Sequence, residues 1–273
     1  MDPITLKRES LEHINGIEIP AYNLHRQECR ILHIGVGNFH RAHQAVYLHE
    51  LLQEQDNPWR ICGAGLMPRD KVMKNALLKQ DFLYTHTSQQ SGSEQVRVIG
   101  TICDFIHIPS EFQRFVEMFT SKELRIVSLT ITEKGYCNNN NWDLDIENKD
   151  IAHDLRNMDD IPKTAIGILV YGLRQRMLIG AAPITIMSCD NIPENGKVLE
   201  KILKQFIEIK KAAGLEDYLE KSVVFPSCMV DRITPVTTDD KREYLYSRYG
   251  IQDQVPVFSE GFIQWVIEDN FNV

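Results

Sequence analysis

Apolar positions along this chain fall into short runs, each followed by a stretch in which they recur at three- and four-residue intervals. Residues 31–35 are mostly aliphatic, the pattern of a strand buried on both faces, and Gly35-Val36-Gly37 follows as a tight turn. Ala42, Ala45, Val46, Leu48, Leu51 and Leu52 then recur with helical spacing over residues 41–53, and Pro58 ends the helix. Residues 59–66 predict a second strand, which makes a strand-helix-strand unit of about thirty residues. A short helix is expected over 70–79, and two strands over 82–88 and 96–102 around the polar tip Gln90-Ser91-Gly92-Ser93. Pro109 opens a further helix that runs through Phe119. Residues 124–131 are the third strongly buried strand candidate, residues 183–188 another and Val223-Val224-Phe225 a short one, with helices over 164–179 and 195–213. Strands alternating with helices imply an α/β fold built on a parallel, doubly wound sheet. Residues 1–29 read as an extended arm turning at Asn15-Gly16, and the stretch from Pro226 onward is punctuated by Pro235 and Pro256.

Composition narrows what such a fold does here. With 273 residues the chain can bury a sizeable core as one large or two ordinary domains. The net charge of −8 comes with basic side chains scattered along the chain, which argues against nucleic acid as a main partner. Residues 1–20 hold no apolar core of a signal peptide and no apolar run approaches bilayer length, so no membrane contact and a cytoplasmic location are expected. Cys29, Cys62, Cys103, Cys137, Cys189 and Cys228 are widely spaced with no CxxC pair, which favours reduced core thiols over a zinc site or a disulfide scaffold.

Ligands of open α/β sheets bind beyond the carboxyl ends of the strands, and four polar clusters occupy those places. In the first, Gly35, Gly37, Asn38 and Phe39 would line a dinucleotide's pyrophosphate, glycine admitting the ligand to the backbone and the helix start offering free N–H groups. Arg41 stands ready for a phosphate. The third glycine of G-x-G-x-x-G is missing, His40 standing in its place, so the turn alone is an incomplete signal. In the second cluster, Met67-Pro68-Arg69-Asp70, the acidic Asp70 would accept both ribose hydroxyls and favour NAD, whereas Arg69 would welcome the extra phosphate of NADP; Asp70 as a helix cap is the plainer reading. The third cluster holds Thr132 and Glu133 within Thr130-Ile131-Thr132-Glu133-Lys134-Gly135-Tyr136, assigned to the cofactor side. The fourth, Ser188-Cys189-Asp190-Asn191-Ile192-Pro193, offers Asp190 and Asn191 to a polyhydroxylated ligand or an alkoxide. His40 and His43 are three apart, but no third ligand lies near and the zinc-protease spacing is absent, so no metal is expected.

Taken together, Gly35-Val36-Gly37-Asn38-Phe39-His40-Arg41-Ala42-His43, Thr132-Glu133-Lys134-Gly135-Tyr136, Ser188-Cys189-Asp190-Asn191-Ile192-Pro193, Met229-Val230-Asp231-Arg232-Ile233-Thr234-Pro235 and Gln264-Trp265-Val266-Ile267-Glu268-Asp269 resemble the polyol-specific long-chain dehydrogenases. That family includes mannitol 2-dehydrogenase, arabinitol dehydrogenase, fructuronate reductase and tagaturonate reductase. The resemblance implies a Rossmann-type NAD(P)-binding domain over residues 30–225, behind an arm over 1–29, and the beginning of a mainly helical substrate domain over 226–273. It implies metal-free interconversion of a sugar alcohol or aldonate with a ketose or keto-uronate, NAD being the expected cofactor and NADP the alternative. It implies an oxyanion contact for Asn191 and a substrate-hydroxyl contact for Asp231. The family's lysine base lies beyond the Gln264–Asp269 string, so a chain ending at Val273 is expected to bind cofactor, to lack its general base and to leave Phe258, Phe262, Trp265 and Ile267 uncovered, favouring self-association or a partner that supplies the other half. The competing expectation is a non-catalytic nucleotide-binding subunit from a split or decayed gene.

Overall fold

A computed structural model describes residues 4–157 and 160–272. The chain opens with β1 (Ile4–Thr5) and a 3-10 turn at Arg8–His13, and then enters β2 (Ile31–Ile34), α1 (Asn38–Ala42), α2 (Gln44–Glu54), β3 (Ile61–Gly65) and α3 (Asp70–Lys79). A hairpin of β4 (Tyr84–Gln90) and β5 (Ser93–Ile99) precedes β6 (Ile102–His107), α4 (Phe112–Thr120) and β7 (Ile126–Leu129). Next come α5 (Lys149–Arg156), α6 (Ala165–Leu178), β8 (Ile184–Ser188), α7 (Asn195–Lys210), α8 (Leu215–Ser222) and β9 (Val223–Val224). The last stretch carries β10 (Cys228–Asp231), α9 (Asp239–Tyr249), β11 (Ile251–Gln252), β12 (Val257–Glu260) and β13 (Gln264–Ile267).

Six strands form one parallel sheet in the order β6-β3-β2-β7-β8-β9. Counted among themselves along the chain, they run 3-2-1-4-5-6, the Rossmann arrangement. Alternation along each strand divides the core. Leu32, Ile34, Val127, Leu129, Ile184 and Ile186 face a large cluster completed by α4, α6, α7 and α8. The intervening positions, among them His33, Ser128 and Met187, face the other side, where α1 and the β10–β13 ribbon lie. Thr164 starts α6 by accepting the Gly167 N–H at 2.9 Å, and Asn148 starts α5 by accepting from Asp150 and Ile151, so both helices begin where their caps sit.

Three expectations change in detail. The helix over 41–53 is two helices, because the backbone at His43 (φ −122°, ψ −89°) leaves helical geometry between α1 and α2. The strand over 96–102 is likewise two, since the chain turns at Gly100, packed against Leu24 and Leu83, and Ile102 restarts as β6 beside β3. The expectation of six reduced thiols also fails at one pair: Cys29 and Cys103 are disulfide-bonded across a sequence separation of 74, a meeting of positions flanking β2 and in β6 that spacing could not reveal. Cys62, Cys137, Cys189 and Cys228 are free.

The arm is not loose, for Leu6, Leu11 and Ile14 are buried with Leu83, Val98 and Ile251. Residues 226–272 fold back on the same body: β12 joins β4 in parallel to complete a three-stranded sheet β12-β4-β5, and β11 pairs with β1. Of the side chains expected to be uncovered, Phe258 is in fact 2% exposed, because β12 seats it against Val96 and Leu245; Phe262 is 51% exposed. Among the described residues no helix is long and apolar enough to cross a membrane.

Candidate functional site

A crevice runs over the carboxyl ends of β2, β3, β7 and β8, at the point where the strand order reverses. It has two lobes, about 510 and 530 Å³, that share Gly35, Gly37, Thr130 and Thr132. The first lobe is walled by Asn38, Phe39, Glu133, Asn191, Asp231 and Arg232; the second by Arg69, Asp70, Lys134, Asn148, Lys163 and Thr164. A ligand with two arms and a narrow waist fits this outline, its waist crossing the glycine turn.

The turn is held from beneath. Gly35 N–H donates to Ala64 O at 2.9 Å, and Gly37 N–H donates to Gly35 O at 2.7 Å. Gly35 sits at φ +99°, and a Cβ there would lie 2.2 Å from Thr130 O, so the residue must be glycine. Gly37 is different: a Cβ would meet nothing nearer than Gly35 O at 3.9 Å, and φ is −98°. Its bare surface therefore serves no contact of the chain itself and leaves room for one with a ligand. Behind it, the first turn of α1 presents N–H groups that have no intrahelical acceptor.

Asp190, at the end of β8, organises the facing loop. Its carboxylate accepts the N–H groups of Ile131 (3.0 Å) and Thr132 (2.9 Å) and the Tyr136 hydroxyl (2.8 Å). Those contacts hold Thr132 at φ +64° and turn Glu133 toward the first lobe. Burial raises the Asp190 pKa, against the pull of its donors. Asp190 is thus committed to the loop rather than to a ligand, and its neighbour Asn191 is the exposed member of that pair.

The expected site residues separate accordingly. Gly35, Gly37, Asn38, Phe39, Thr132, Glu133, Asn191 and Asp231 all border the first lobe, and Asp70 borders the second. The plainer reading of Asp70 as the helix cap is corrected: Arg69 holds the N-cap position of α3, Asp70 is its first residue, and the Asp70 Oδ2 accepts the N–H of Met67, ahead of the helix, at 2.8 Å. Arg41 is a correction. It is 1% exposed, donates to Val255 O and to Asn38 Oδ1 (2.7 Å), and lies 5.2 Å from the Tyr84 ring, because its place on α1 turns it inward, away from the crevice. His40 and His43 do not form a metal pair: His40 stacks on His33 at 3.5 Å, and His43 bonds Gln264 O at 2.8 Å. Among the described residues no group of three or more His, Cys, Asp or Glu side chains could hold a metal. Asn148, Lys163 and Thr164 were not foreseen, since they come from the starts of α5 and α6, far from any strand-end motif.

Comparison with known proteins adds to this geometry. The family model of the mannitol dehydrogenase Rossmann domain matches residues 29–273. The chain is 40% identical over 258 residues to mannitol dehydrogenase DSF1 of Saccharomyces cerevisiae, covering 94% of this chain and 51% of the relative. It is 39% identical to mannitol 2-dehydrogenase of Aspergillus fumigatus, covering 100% of this chain and 56% of the relative. Among solved structures, the ternary complex of Pseudomonas fluorescens mannitol 2-dehydrogenase with NAD and D-mannitol superposes with a TM-score of 0.93 at 40% identity, over 98% of this chain and 55% of that one. A D-sorbitol dehydrogenase in substrate-free form gives 0.91 at 35% identity, over 98% and 56%. The chain therefore spans about half the length of the relatives it matches.

Proposed function

This chain belongs to the mannitol dehydrogenase family, and from that premise we propose that it is the nucleotide-binding part of an NAD(P)-dependent oxidoreductase that interconverts a sugar alcohol, or an aldonate, with the corresponding ketose or keto-uronate. The observation that carries the reading is the two-lobed crevice waisted at Gly35 and Gly37, with Gly37 bare on its open side. The residues fit a dinucleotide. The amides at the start of α1 would hold the diphosphate, Asp70 the adenosine ribose, and Thr132 and Glu133 the nicotinamide half. Asp70 favours NAD, and Arg69 beside it is the feature that would admit NADP. The cofactor, when bound, supplies the hydride acceptor.

The chain's own residues would place the alcohol. Asn191 can donate its amide N–H to the substrate oxygen as negative charge grows there, and Asp231 can accept hydrogen bonds from neighbouring hydroxyls. We assign residues 226–273 to the substrate side, as the start of the substrate domain, since Asp231 and Arg232 wall that lobe, and residues 30–225 to the cofactor. Asp190, the buried carboxylate between them, has its oxygens occupied by three donors, so it is not assigned as the proton acceptor. The general base belongs to the part of the relatives that the chain does not match; a missing base is worth about 100- to 10,000-fold in rate.

Titration of the chain with NADH, followed by quenching of tryptophan fluorescence, is expected to saturate, with Trp265 beside the first lobe as the reporter. No response to NADH or NADPH at millimolar concentration would sink the proposal. The half-length coverage supports one other reading, a nucleotide-binding subunit without turnover of its own, and alcohol oxidation that appears only on mixing with a polypeptide matching the relatives' second half is the result that marks it.

A further inference from the structure

Beneath the glycine turn lies a line of hydrogen bonds that the reaction does not use. The sheet register sets His33 of β2 opposite Ser128 of β7. His33 Nδ1 is 2.8 Å from Ser128 Oγ, and its Nε2 is 2.9 Å from Thr130 Oγ1. Thr130 Oγ1 in turn lies 2.7 Å from Gly35 O.

The direction of every bond follows from one end. Gly35 O is a carbonyl and can only accept, so the Thr130 hydroxyl donates its single proton to it. Thr130 Oγ1 must then accept from His33, which puts the ring proton on Nε2. His33 Nδ1 is left as an acceptor, and the Ser128 hydroxyl donates to it. The line runs Ser128 O–H to His33, His33 Nε2–H to Thr130, Thr130 O–H to Gly35. It works only with a neutral imidazole. His33 is fully buried, the His40 ring stacks on it at 3.5 Å, and burial depresses its pKa to about 3.

The geometry points to His33 and Thr130 as positioning residues for the dinucleotide turn. Gly35 O receives two protons, one from Thr130 Oγ1 and one from Gly37 N–H at 2.7 Å. That pair of bonds fixes the Gly35 peptide and so the direction in which the next amides face the crevice. This role rests on the reading of the crevice as a dinucleotide site.

The test compares the 273-residue chain with Thr130→Val, which keeps the shape and removes the hydroxyl, and Thr130→Ser, which keeps the hydroxyl. NADH affinity is measured by calorimetry at a temperature where circular dichroism shows all three folded. Thr130→Val is expected to weaken NADH five- to tenfold, and Thr130→Ser to stay within twofold of the parent. Equal affinity for the Val variant overturns the positioning role alone; a parent chain that ignores NADH overturns the crevice reading and this role with it. Long-range 1H–15N spectra of the unaltered chain at pH 7 supply a measurement that needs no variant. A proton on His33 Nε2 is the expected result, and a proton on Nδ1 contradicts the line of bonds.

Discussion

At the residue scale, Gly35 and Gly37 look alike in the sequence and are held for different reasons. A Cβ on Gly35 would strike Thr130 O, in a backbone region that L residues avoid, so Gly35→Ala is expected to cost about 3 kcal/mol or more in urea unfolding. Gly37 has open space and an ordinary φ, so Gly37→Ala is expected to leave the unfolding midpoint within experimental spread while NADH affinity falls at least tenfold. Equal loss of stability in both variants would mean that Gly37 serves the fold and not a ligand. Arg41 teaches the opposite lesson. A basic residue four positions after a glycine suggests a phosphate contact, but α1 turns it inward to Val255 and Tyr84, something that only the helix's seat on the body decides.

At the scale of elements, β2, β3, β7 and β8 were legible because each is a nearly continuous apolar run, buried on both faces. The break between β5 and β6 was not, since alternation continues through Gly100 and only packing against Leu24 and Leu83 marks the corner. The partnership of His33 with Ser128 was equally hidden, the two lying 95 residues apart, although a histidine inside an aliphatic strand was a signal that something polar must meet it. The loop after β7 depends on Asp190. Asp190→Asn keeps one acceptor oxygen for three donors, and is expected to cost about 1–3 kcal/mol through the buried groups left unpaired, read from urea unfolding.

The elements around α1 also share a pH dependence. Burial holds His33 and His43 neutral, with pKa values depressed to about 3 and about 4. Both lie below the value of roughly 6.5 expected in the unfolded chain, so the unfolded state binds more protons as the pH falls. This contribution to stability is complete above pH ~6.5 and declines as the pH drops toward 3, by up to about 1.4 kcal/mol per pH unit for each group. Denaturation midpoints at pH 7.5, 6 and 5 check it; a midpoint unchanged or rising across that series would contradict burial of neutral rings.

For the whole molecule, the question is how the substrate side is tied to the cofactor side. Arg232 makes the tie: its guanidinium donates to Ala42 O at 2.6 Å and to Glu260 O at 3.0 Å, joining the end of β10 to α1 and β12 while also walling the first lobe. Arg232→Ala takes the guanidinium donor from Ala42 O and leaves Glu260 O with the Ser259 hydroxyl alone, and is expected to cost about 1–3 kcal/mol in unfolding free energy. The strings that carried the family resemblance meet here in space, Gly35–His43, Thr132–Tyr136, Ser188–Pro193 and Met229–Pro235 all bordering or bracing one crevice. Their order along the sequence was legible, whereas the folding of β12 onto β4 was not, since a parallel pairing between positions 84–90 and 257–260 leaves no local mark. The most direct test of the account is a crystal structure of the chain grown with NADH. The cofactor is expected to span both lobes, its diphosphate passing over Gly37 and hydrogen-bonded to the main-chain amides at the start of α1; a cofactor bound elsewhere, or a glycine turn left empty at saturating NADH, would contradict it.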